Sequence, residues 1–116
     1  MSTNTLLFGW KRSSPGRESL SAAHFQDFVQ YLGGLQKDGR IQSFEPVLLE
    51  PSGAGMNGFF LIRADDARLN ELTASDEWVG HITRSLMHLE EPIVQRGVCG
   101  EMVNERMALW VGQIPK

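Results

Sequence analysis

Phe59-Phe60-Leu61-Ile62-Arg63 is apolar at both parities, and no other stretch constrains the fold as much. Side chains along a strand alternate between the two faces of a sheet, so this strand presents large apolar groups to both. The run Thr5–Trp10 behaves alike: Leu6, Phe8 and Trp10 share one parity, Thr5, Leu7 and Gly9 the other. In Ile93–Cys99 the two sets are Val94, Arg96 and Val98 against Ile93, Gln95 and Cys99. Helices on one side of such a sheet leave a second apolar face that needs a cover of its own.

The remaining elements fall around these strands. Phe25, Phe28, Val29, Leu32 and Leu35 recur at steps of three and four, which predicts a helix over Leu20–Lys37. Ser19 or Ser21 is its expected N-cap, and Asp38-Gly39 its stop. Gly33-Gly34 near the end predicts either fraying or a close packing contact, since each glycine costs ~1 kcal/mol against alanine. Ile41–Glu50 reads as a strand that Pro46 pushes to a sheet edge. Asp65-Asp66 opens a short helix through Leu72, and Ser75 restarts one. In that second piece Trp78, Val79, Ile82, Leu86 and Leu89 share one face, which predicts a core-facing helix ended by Pro92. Val103, Met107, Trp110, Val111 and Ile114 predict a last amphipathic helix over Glu101–Ile114.

The expected fold is therefore α+β: a ferredoxin-like βαββαβ unit with an extra C-terminal helix, built on a four-stranded antiparallel sheet. Its two central strands should be the first and third, which are also the most apolar. With 116 residues the chain fits a single domain, 1–116. The second sheet face is best covered by the same face of another copy, which predicts a homodimer. The monomeric alternative folds the tail helix over its own sheet. A net charge of −3 argues against a general nucleic-acid binder, and one cysteine excludes an internal disulfide or a multi-cysteine zinc site. No run reaches the ~18–20 apolar residues of a membrane span, and the first residues lack a secretory signal pattern. A cytoplasmic protein without metal or cofactor is expected.

Gly58-Phe59-Phe60-Leu61-Ile62-Arg63-Ala64-Asp65-Asp66, followed by Leu72-Thr73-Ala74-Ser75-Asp76-Glu77-Trp78, resembles a YCII-type passage. There an apolar strand leads into an acidic helix start and a second, Ser-Asp restart. With the element order, the chain resembles the dimeric α/β-barrel superfamily, which includes YCII-related proteins and antibiotic-biosynthesis-type monooxygenases. The resemblance implies a barrel made from two four-stranded sheets, with an interior that holds a small organic molecule. It also implies, as one possible activity, cofactor-free oxygenation or isomerisation of an aromatic or enolisable substrate. The His-Asp pairing associated with YCII-type activity has no counterpart here, because all three histidines fall in predicted helices.

Candidate ligand-binding residues follow from strand charges and aromatics. Glu45, Arg63 and Arg96 are charges within strands, where a doubly covered sheet tolerates few. If a sheet face lines a cavity, Arg96 and Glu45 orient a bound molecule while Trp10 and Phe59 form its walls. Otherwise Glu45 and Arg63 sit in solvent at strand ends or pair across the dimer interface. His24 lies at the edge of its helix's apolar face, as a base or as packing. His81 and His88, seven apart with Arg84 between, form either a polar site for an anion or a proton-transfer pair, or simply a half-exposed helix flank. That spacing does not suit a shared metal. Lys11, Arg12 and Arg17 give the first seventeen residues three cations and no acid, a docking point for an anion or plain solvated charge. Cys99 lacks an activating neighbour. A non-catalytic interaction or accessory subunit fits the same sequence features.

Overall fold

The computed structural model describes residues 1–116. Its main sheet contains β1 (Thr5–Trp10), β3 (Ser43–Leu48), β4 (Gly58–Arg63) and β6 (Ile93–Gly97) in the order β3-β4-β1-β6. Every neighbouring pair is antiparallel. Four helices accompany it: α1 (Glu18–Lys37), α2 (Asp66–Ala74), α3 (Asp76–Ser85) and α4 (Met102–Gly112). The architecture is α+β and compatible with a ferredoxin-like arrangement, and the sheet is open in the single chain. As expected, β1 and β4 are central and Pro46 lies on the edge strand β3. No helix is long and apolar enough to cross a membrane.

Two short strands were not legible: β2 (Arg12–Ser13) and β5 (Leu89–Glu90) form a separate two-stranded ladder. This ladder fastens the loop after β1 to the chain leaving α3, with Ser14 N–H donating to the His88 carbonyl at 2.8 Å. Runs of two residues carry no periodicity, so only tertiary pairing reveals them.

The core lies on one side of the sheet. Leu6, Phe8, Phe60 and Ile62 meet Phe28, Leu32 and Leu35 of α1 and Leu69, Leu72 and Trp78 of α2 and α3. Phe28 is the hub, packing its ring against those of Phe60 (4.9 Å between centroids), Phe8 (5.4 Å) and Trp78 (5.9 Å). Aromatic contacts of this tilted and edge-on kind add to plain area burial. Asp65 caps α2 by accepting from Arg68 N–H at 2.8 Å, and Ser75 caps α3 by accepting from Trp78 N–H.

Three expectations about helices need correction. Helix α1 begins at Glu18 after Arg17, which offers no side-chain cap; Ser19 and Ser21 lie inside the helix, and Ser21 spends its hydroxyl elsewhere. Nothing packs closely on Gly33 or Gly34, and the helix runs on to Lys37. Helix α3 stops at Ser85, with residues 86–88 in a turn. Trp78 is buried and Ile82 half-buried as expected, but Val79 and Leu86 are 52% and 64% exposed. The side of α3 that faces inward instead carries Ser85, fully buried, and His81, half-buried. Polar residues on the inner side displaced the apolar stripe that hydropathy alone picks out.

The far side of the sheet has no cover. Leu7, Phe59, Leu61 and Val47 share that face and are only partly buried, and Ile93 beside them is 41% exposed. Helix α4 buries no residue; it does not lie over its own sheet, and Val103, Met107, Trp110, Val111 and Ile114 are exposed. Its one side-chain hydrogen bond to the body runs from Arg106 to the Ser2 carbonyl, 2.9 Å.

Candidate acid–base site

Four elements bring two serines and all three histidines into one hydrogen-bonded line. Ser13, on β2, places Oγ 2.6 Å from Ser21 Oγ, one turn into α1. Ser21 Oγ lies 2.7 Å from His88 Nδ1, in the turn after α3. His88 Nε2 lies 2.7 Å from His24 Nδ1, and His24 Nε2 lies 3.0 Å from His81 Nδ1 on α3. His24 and His88 are each 3% exposed, while His81 and Ser13 are half-buried. The line therefore runs through the molecule between two more open ends.

Local sequence explains how each member arrives. Ser21 and His24 are three apart on α1 and so share a face. The Ser85 hydroxyl donates back to the Ile82 carbonyl at 2.6 Å, and Met87 and His88 N–H donate to Arg84 and Ser85 carbonyls. This tight turn takes His88 off the α3 face it would share with His81 and swings it toward α1. The Arg84–Asp27 ion pair, 2.8 Å, joins α3 to α1 beside the imidazoles.

Proton counting limits what the line can do. Each contact holds one hydrogen, and a neutral imidazole supplies one N–H and one acceptor. With all rings neutral, the hydrogens between the three imidazoles point one way along the line, and either direction satisfies every contact. One added proton is also accommodated: a cationic His24 donates to both neighbours, and Ser13 and His81 donate outward. A second added proton forces two donors to face each other. His24 is pushed down to about 4, first by burial, then by the Arg84 charge and by His81 and His88. His81 and His88 are lowered for the same leading reasons, burial and Arg84. At neutral pH the rings are uncharged and able to accept a proton. The two nitrogens of His24 point to opposite neighbours, so the three rings do not converge on one point as metal ligands do, and no cluster suited to a metal ion exists.

The serine end opens into a cavity of about 320 Å³ between α1 and the helix side of the sheet. Its walls are Phe8, Trp10, Phe25, Phe28, Phe60, Leu48 and Leu89, and its polar edge is Ser13, Glu18, Ser21, His24 and His88. An apolar chamber with a few convergent polar groups is the usual form of a small-molecule site.

Of the residues singled out in the sequence, this cavity gathers Trp10, His24 and His88. Phe59 sits on the opposite, open face of the sheet. Glu45 and Arg63 pair with each other across β3 and β4 at 3.9 Å. Arg96 turns to α2, donating to Asn70 at 2.6 Å and Asp66 at 3.2 Å. Asp66 in turn accepts from Thr3 N–H and hydroxyl, which hold its carboxyl below the usual range ahead of the Arg96 charge. Lys11 and Arg12 pair with Glu91 and Glu90, which leaves little of the loop's charge for an anion. Ser13, Ser21 and Glu18 escaped sequence reasoning, because serines near a helix start read as caps. His88 was read on a helix with His81, as a polar or proton-transfer pair or as a half-exposed flank; Leu86 and Met87 are good helix formers, so nothing local signalled the turn. No family model, no curated protein and no solved structure matches the chain.

Proposed function

We propose that this protein binds a small, largely apolar organic molecule in the cavity beneath α1 and exchanges a proton with it through the imidazole line. The observation that carries the reading is the unbroken Ser13–Ser21–His88–His24–His81 contact series ending at an aromatic chamber. A base must have its neutral form populated at working pH and be reached by the substrate proton directly or through a relay. His88 and His24 are neutral, and because both nitrogens of each are taken within the line, the Ser21 hydroxyl at the cavity edge is the group that passes them the proton. The remaining contacts give the accepted proton a route toward His81. A cofactor-free oxygenase or isomerase of the kind implied by the barrel resemblance requires this combination of base and apolar cavity.

A second reading concerns assembly. The uncovered apolar sheet face and the uncovered stripe of α4 support pairing with another copy through those surfaces. The cavity lies on the other side of the sheet, so the ligand site belongs to each chain separately.

The functional reading is tested with an enolisable aryl ketone as probe. The wild type is expected to bind it, with Trp10 indole and His88 resonances shifting, and to speed exchange of its α-hydrogen for deuterium. Ala22 lines the cavity, and Ala22→Trp fills it; binding and exchange should both vanish. Undiminished exchange in that variant would contradict the proposal.

A further inference from the structure

Ser21 is more than a link in the line. Its hydroxyl faces the cavity, its neighbour His88 is a neutral base at 2.7 Å, and a third group, His24, holds that base at 2.7 Å from the far nitrogen. Nucleophile, base and orienting partner in contact are the geometry by which a weak serine hydroxyl is activated. We propose that Ser21 is an acyl-accepting nucleophile, with His88 as its general base and His24 as the positioning residue, acting on neutral, apolar esters. This rests on the acid–base reading of the same site and deepens it by naming a substrate class.

The step balances without any group beyond water. Ser21 Oγ attacks the ester carbonyl carbon while its proton passes to His88 Nδ1. The tetrahedral intermediate collapses, the C–O bond to the alcohol breaks, and the alcohol leaves with the proton from His88. Water then gives a proton to His88 and attacks the acyl carbon; the Ser21–acyl bond breaks, the carboxylic acid departs and Ser21 regains its proton. Ser13 Oγ, 2.6 Å from the attacking oxygen, is the nearest side-chain donor to the oxyanion. Glu18 at the cavity edge disfavours anionic substrates, and the aromatic walls favour acyl groups without charge. His81 extends the support by one ring, as its Nδ1 meets the outer nitrogen of His24.

The test uses an alkyl fluorophosphonate on the full chain, with the modified peptide located by mass spectrometry. The wild type should acquire one adduct, at Ser21, and Ser21→Ala should acquire none. His88→Asn keeps a polar atom toward Ser21 but no base, and labelling should slow ~100-fold or more. His24→Asn retains an acceptor where Nδ1 stood and should stay within a few-fold of wild type, whereas His24→Ala should not; that rescue separates positioning from bulk structure. Circular dichroism identifies any variant that does not fold, and Ser13→Ala then supplies a gentler one, with labelling expected ~100-fold slower. Absence of a Ser21 adduct in the wild type, or adducts spread over several serines, overturns the nucleophile. If aryl-ketone binding and deuterium exchange persist in that case, the acid–base reading survives; if they too are absent, both fall.

Discussion

His24 uses both ring nitrogens on histidine partners, and this decides how the protein responds to acid. The folded state holds His24 at about 4 against an ordinary value of 6.5, with His81 and His88 lowered beside it. Arg84 facing them from α3 and their mutual proximity oppose charging, and Asp27 on α1 partly offsets this for His24 and His81. The unfolded chain binds protons first, so stability is complete above pH 6.5 and falls as pH drops toward 4. The loss is at most about 1.4 kcal/mol per pH unit for each histidine whose proton is withheld. Urea midpoints should therefore decline from pH 7 to pH 5, and less steeply in His24→Asn; equal slopes would contradict the assignment. The chain itself showed only part of this. The spacing of His81 and His88 offered a proton-transfer pair as one reading, but nothing in the chain ties His24 to them, and only the α1–α3 contact places it between the two.

Elements were read well where one periodicity ruled them. Strand β1 matches its predicted bounds, Asp65 and Ser75 cap as expected, and α4 forms where its apolar stripe falls. The reading failed at the β2–β5 ladder, which long-range pairing creates, and at the end of α3, where the turn after Ser85 overrode periodicity. Glycines give a sharper test of element packing. A Cβ at Gly58 would stand 2.6 Å from Trp10 Cζ2, part of a ring wedged among Phe8, Phe25 and Phe60. At Gly9 it would meet the Met56 methyl group at 2.7 Å, the free end of a flexible side chain. Gly58→Ala should cost about 1–3 kcal/mol and distort the cavity wall, while Gly9→Ala should cost less. Thermal melts compare the two, and a larger loss at Gly9 would contradict this packing.

For the molecule as a whole, the sequence showed that a second apolar face exists but not what covers it, since coverage by α4 and by another copy share one hydropathy pattern. The structure removes the first option, with Trp110 62% exposed on α4. Native mass spectrometry should find a species of about 26 kDa, twice the 13.0 kDa chain, and Leu61→Glu on the open face should return it to monomer. A monomer in the unaltered protein would refute the pairing. The single chain has its cavity on the helix side of the sheet, whereas strand charges pointed to a sheet-lined interior; Glu45, Arg63 and Arg96 are held in ion pairs. What joins the scales is the imidazole line, which needs β2, α1, α3 and the turn before β5 all in place. The measurement that tests it most directly is nitrogen-resolved NMR of the histidine rings across pH. The line predicts three neutral rings at pH 7, coupled by N–H···N contacts, with His24 titrating near 4 and His81 and His88 below the ordinary value. Three independent titrations near 6.5 would contradict it.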